Sequence, residues 1–345
     1  MTKKKFFVVA LIVLFVMCFA PWTIGMAAAS PTYIDIGRVN ADGSNFVLFD
    51  GNLYITQNGH FVITGTTNRR RVIVEDSLTD VSITLSDVNI DTRGRGHAFR
   101  IMYDSMVNLT LAGNNELTGD GTGLSIFTGA TLVITENSEG SLTATGTQSA
   151  SAGIGNAGGA NFIVRGGTIT ARGANGAGIG GSGGGSGGNI TIEGGTVTAI
   201  GGSCFSGAAG IGGGQRGSAA NIIITGGTVT AIGGDGSSQR QPAGQSSGGG
   251  AGIGGGGGTG SSGGRSGNIT ITGNANVTAI GGNAPAGAGG AGVGSGSYAA
   301  ADSFGNVTID NTGERNFQGG TGVAGRNGAD VGTGGNADGP GREMM

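Results

Sequence analysis

Seven side chains in the first third of this 345-residue chain combine ring faces with planar hydrogen-bonding groups: Tyr54, Arg93, Arg95, His97, Arg100, Tyr103 and Asp104. Such a set suits a sugar. An aromatic ring covers an apolar pyranose face, while guanidinium, imidazole and carboxylate groups bond to hydroxyls. The stretch 91–97, DTRGRGH, is the most polar and Gly-rich corner of this region, and loops on rigid scaffolds often carry function. The same residues also read as a solvated turn, with the aromatics capping a core.

The residue types for catalysis are poorly placed. A glycoside hydrolase needs two carboxylates facing one cleft. Asp87 and Asp91 are four apart and would share a strand face, which is also the pattern of a solvated edge. His60 and His97 have no Ser or Cys at a spacing that suggests an activated nucleophile. A polysaccharide lyase needs a base and clustered cations, yet the only run of arginines is Arg69-Arg70-Arg71. The expectation is a protein that is not an enzyme. Metal binding is not expected either: the rear repeats, residues 151–309, show only Glu193, Asp235 and Asp302 as acids, and Ca²⁺ requires several oxygen ligands including carboxylates.

Lys3-Lys4-Lys5, the apolar run 6–20 and Ala27-Ala28-Ala29 read as a secretory signal peptide over residues 1–29. Its removal takes every lysine and leaves 15 Arg against 21 Asp plus Glu, a net charge of −6. That balance argues against nucleic acid or an anionic membrane as partner. Only Cys204 remains, so no intrachain disulfide can form despite an oxidising destination. The expected location is secreted or on the cell surface.

The elements that must position the front residues are legible from the rear, because the rear repeats. Asn161, Asn189, Asn221, Asn268 and Asn306 each open a short alternating segment. The first four are followed by a second segment and then by A-G-[IV]-G. The intervals are 28, 32, 47 and 38 residues, so the cores keep their lengths while Gly/Ser connectors stretch. This is the pattern of a solenoid whose corners absorb insertions. Alternation puts Ile190, Ile192, Val197, Ala199 and Ile211 inside and leaves Gly210 and Gly212 outside. Ile154, Ile179, Ile211, Ile253 and Val293 should stack as one column, and the five asparagines as a corner ladder. The outer glycines allow two readings: tight bends, or a side-chain-free surface for the connectors, a partner chain or a flat glycan. Thr168-x-Thr170, Thr196-x-Thr198 and Thr228-x-Thr230 would form a flat array of the kind ice-binding solenoids use, broken by Asn276 in one column.

Residues 51–90 (GNLYITQNGHFVITG…VSITLSDVNI) resemble the opening of exported bacterial parallel β-helix proteins of the carbohydrate-binding-domain type. Residues 209–234 (AGIGGG…NIIITGGTVTAIGG) look like Gly-rich repeats of Gram-positive surface proteins. The resemblance spans about residues 50–310 and implies non-catalytic binding of plant or cell-wall polysaccharide, in some members with Ca²⁺. The sequence therefore predicts an all-β, right-handed parallel β-helix of about nine or ten coils over residues 52–311. A cap over 30–51 precedes it, and a Gly-rich, fraying tail over 312–345 follows. The expected role is polysaccharide binding. The alternative is a structural or adhesive surface protein that self-associates through its Gly-rich wall.

Overall fold

The computed structural model describes residues 30–148, 150–238, 247–260, 262–300, 305–336 and 338–344. The signal peptide expected over 1–29 lies outside the described residues. From Pro31 onward the chain forms one compact unit.

That unit is a parallel β-helix with three walls. Wall one stacks Asn161–Val164, Asn189–Ile192, Asn221–Ile224 and Asn268–Gly273 in parallel. Wall two stacks Thr168–Arg172, Thr196–Ile200, Thr228–Ile232 and Asn276–Ile280. Wall three stacks Ile154–Asn156, Ile179–Gly180, Ile211–Gly212, Ile253–Gly254 and Val293–Gly294. The expected apolar column is in register. Ile154, Ile179, Ile211, Ile253 and Val293 pair rung to rung, and each is 0% exposed. Ile190 and Val197 columns do the same on the other walls. Like residues stacked at a ~4.8 Å rung spacing fill the shaft without large side chains.

The front half follows the same plan with richer side chains. Gly59–Thr67 and Val81–Thr92 each run through walls one and two without a break, bending at a bulge after Thr64. A strand missed in the sequence, Asn114–Gly119, completes wall two of the next rung. Its polar start, Asn114-Asn115-Glu116, resembles a turn. Asn115, however, is buried, accepting from the Val88 N–H at 3.0 Å and donating to the Ala112 and Ser141 carbonyls. In the rear, the wall-one-to-wall-two corner is a Gly pair such as Gly194-Gly195. Gly195 needs φ +76°, and a Cβ on Gly194 would sit 2.4 Å from the Arg165 carbonyl.

The front segment caps the shaft with two strands: Thr32–Asp35 adds a parallel strand beside Gly59–Thr67, and Phe46–Phe49 pairs antiparallel with Asn52–Ile55. Ile34, Ile36 and Phe46 close the shaft. The rear differs from the sequence expectation. The helix does not stop at residue 311. Arg315–Gln318 pairs with Asn276–Ile280, and Val331–Gly332 with Val293–Gly294. Arg315–Gln318 turns one apolar residue, Phe317, toward the shaft, and backbone pairing to the previous rung holds it.

The asparagine ladder is partial. Asn161, Asn189, Asn221 and Asn268 align in register. Asn189 Nδ2 donates to Asn161 Oδ1 at 3.0 Å, and Asn161 Nδ2 to Thr131 Oγ1 at 3.1 Å. At the far end, Asn268 Oδ1 accepts from the Asn306 backbone N–H at 3.2 Å. The Thr-x-Thr pairs also align, with Thr170, Thr198, Thr230 and Thr278 in one column and Asn276 interrupting the other.

The connectors decide between the two readings of the outer glycines. Gly210 and Gly212 point out of the shaft but are buried, because the Gly-rich connectors lie on wall three as a second layer. One continuous series of backbone bonds runs through it. Gly328 donates to Gly320, which donates to Gly290, and so on through Gly282, Gly250, Gly234, Ala208 and Gly202 to Gly176, all at 2.8–3.0 Å. A second series links Gly296, Gly264, Gly256, Gly217, Gly214, Gly185 and Ser182 at 2.7–3.1 Å. Neighbouring backbones approach so closely that a Cβ on Gly282 would sit 1.9 Å from the Gly234 carbonyl. Most of this glycine is therefore packing material and not turn.

Candidate functional site

Wall three carries side chains in front and bare backbone behind. Its outward column runs Tyr54, Ile73, Arg100, Ser125, Gly155 and Gly180 from rung to rung. The loss of side-chain bulk after Arg100 opens a groove of about 480 Å³. His97, Thr122, Ser125 and Phe127 line one part of it, and Gly155, Gly180, Ser182 and Ser186 the other.

Phe127 gathers the chemistry. The Arg100 guanidinium carbon lies 5.0 Å from its ring centroid. Tyr103 meets it edge-on at 5.2 Å, and His97 at 6.4 Å. A cation over a ring face and perpendicular rings are both favourable quadrupole contacts. Phe127 is not among the seven residues that the sequence singles out. The signal was there: Leu124 and Ile126 point inward, so alternation turns Phe127 outward, where an aromatic needs a reason.

His97 is held from below. Its Nδ1 accepts from the Thr122 N–H at 2.9 Å, which leaves the proton on Nε2. Burial, with the Arg100 and Arg71 charges beside it, pushes the imidazole below its ordinary value. The loop before it is pinned by Asp120, whose carboxylate accepts from the backbone N–H of Gly94 at 2.9 Å, from Gly96, and from Gly121 at 3.0 Å. The lowered pKa has a sign. Between the folded value and 6.5, the unfolded chain binds more protons at His97 than the folded one does, so stability falls as pH drops through that window. In His97→Gln this portion of the acid sensitivity disappears, which thermal melts of both proteins across the window will register.

Two guanidiniums here lack a carboxylate. Arg71 Nε donates to Asn52 Oδ1 at 3.1 Å, and Arg100 Nε is buried without a partner. Neither joins an ion pair among the described residues. Burial first, and then Arg71, holds the Arg100 pKa below its usual value.

Of the seven residues picked from the sequence, His97, Arg100 and Tyr103 converge on Phe127. Tyr54 stands two rungs forward in the same column, its ring edge-on to Phe49 at 6.2 Å. The other three stay apart. Arg93 is turned to Asp91, with Nη2–Oδ2 at 2.5 Å, and this bond holds the Asp91 carboxyl below the usual range. Arg95 is exposed on the same corner, and Asp104 is exposed in a turn at φ +57°. Asp87 and Asp91 do not form a pair, since Asp87 is the bulge residue of Val81–Thr92 at φ +53° and accepts from the Asn114 N–H at 2.9 Å. No group of three or more His, Cys, Asp or Glu side chains fit to hold a metal occurs among the described residues. Compared with protein-family models, curated proteins and solved structures, the chain matches none.

Proposed function

We propose that the protein is an exported, non-catalytic polysaccharide-binding protein whose site is the front of wall three. The observation that carries this reading is the Phe127 cluster beside an open groove. Phe127 and Tyr103 offer apolar ring surface for a pyranose. His97 Nε2–H and Ser125 offer hydrogen bonds along the groove. Arg71 and Arg100, which join no ion pair among the described residues, favour an acidic sugar, because a planar carboxylate matches a guanidinium fork.

A groove open to solvent and continuous with a straight wall suits a chain polymer better than a small molecule held on all sides. The test is a binding screen of pectic, cellulosic and peptidoglycan polymers. The proposal expects retention on an acidic polymer, weakened by salt and abolished in Tyr103→Ala combined with Arg100→Ala. A blank screen with intact protein sinks it and favours the structural or adhesive reading.

A further inference from the structure

The two ends of the coil stack are finished differently. At the front, Thr32–Asp35 and Phe46–Phe49 cover the shaft, and Ile34, Ile36 and Phe46 are 2%, 0% and 7% exposed. At the rear, wall three is finished by the chain itself. The Glu343 carboxylate accepts from the Asp330 and Val331 N–H groups, and the Met344 N–H donates to the Val331 carbonyl at 2.9 Å. Walls one and two have no such finish. Val307–Asn311 and Arg315–Gln318 each pair with one neighbour only among the described residues. The shaft ends on Val307, Ile309, Phe317 and Val331, which are half-buried where Ile269, Ile271, Ala279 and Val293 one rung earlier are fully buried. With Met344 and Arg315 they line a groove of about 440 Å³.

A solenoid needs a polar terminal repeat, and an unpaired strand edge invites another chain. We infer that this rear end is a dimer interface, occupied by the same end of a second copy across a two-fold axis. The front disfavours a head-to-tail stack: Thr32–Asp35 pairs on one side only among the described residues, but Ile34, Ile36 and Phe46 are already buried beneath the cap, so the rear's apolar residues would meet no matching apolar end. A two-fold through the corner between walls one and two lays one copy's Val307–Asn311 antiparallel to the other's Arg315–Gln318, and the reverse. Strands direct themselves toward that corner on wall one and away from it on wall two, so the flipped partner meets them with opposite sense. Charge fits the same arrangement. Asp310 lies beside the corner on one strand and Arg315 beside it on the other, both exposed, so the operation sets Asp310 of each copy near Arg315 of its mate. Val307 and Ile309 of each copy then face Phe317 of its mate, Val331 faces its own counterpart, and all of them leave water.

Sedimentation of the purified protein over a range of concentrations tests this. The expected result is a reversible dimer whose dissociation constant rises about tenfold or more in Ile309→Arg. Asp310→Arg and Arg315→Asp, the second of which also removes the bond from Arg315 to the Asn311 carbonyl, should each weaken it, and their combination should restore it, as a self-complementary pair demands. A monomer at the highest soluble concentration overturns the inference. So does a dimer indifferent to all of these variants, or growth into open polymers.

Discussion

Replacing Gly254 with alanine should prevent the rear coils from stacking. Gly254 has φ +137°, a conformation that L side chains rarely adopt, and a Cβ there would lie 1.7 Å from the Gly294 carbonyl oxygen. That oxygen is backbone, held by the Gly255 N–H at 3.0 Å, so it cannot swing aside as a side-chain tip would. Backbone strain and the clash add, giving an expected loss of about 4 kcal/mol or more. Gly158→Ala is the matched control: nothing lies within 4 Å of its added Cβ, and the change should stay within about 0.5 kcal/mol. Urea titrations followed by circular dichroism will separate the two, and equal midpoints would refute the packing role of the second layer.

The largest effect on binding should come from Phe127, which lines the groove, and Arg100, which lies over its ring. Arg100→Ala removes a guanidinium that joins no ion pair among the described residues, and Phe127→Ala removes the ring that Arg100, Tyr103 and His97 share. Each should weaken retention of an acidic polymer by about 2 kcal/mol, roughly thirtyfold, as expected of a central Arg or aromatic anchor. Phe127→Tyr keeps the ring and should keep most of the affinity, which guards against a folding artefact. Arg93→Ala should change little, because its guanidinium is already turned to Asp91 on another corner. If affinity-gel mobility instead responds to Arg93 and ignores Arg100, the site is misplaced.

The shaft was legible in the sequence because period-two alternation leaves inward residues no choice: Ile179, Ile211 and Ile253 had to stack once the repeat was recognised. Two things were not legible. The first is the fate of the connectors. Glycine carries no face information, so a Gly run reads the same whether it bends, frays or packs. Only the donor–acceptor series from Gly328 to Gly176 distinguishes these. The second is convergence at the site. Arg100 and Phe127 are 27 positions apart and meet because Leu124–Ile126 stacks in register on Phe99–Ile101. Proximity to Asp91–His97 in the sequence instead favoured Arg93 and Arg95, which face elsewhere. Register between rungs, not distance along the chain, decides which polar groups become neighbours.

The bonded glycine layer bears on how the molecule opens. Connector amides between solenoid rungs ordinarily exchange their hydrogens with water long before strand amides do. Here the N–H groups of Gly250, Gly282 and Gly290 are each donated to a neighbouring backbone carbonyl beneath a covered surface. Their deuterium uptake should be as slow as that of the strands. A protease would then find no early-opening site at these three glycines, although the composition alone suggests an easy target.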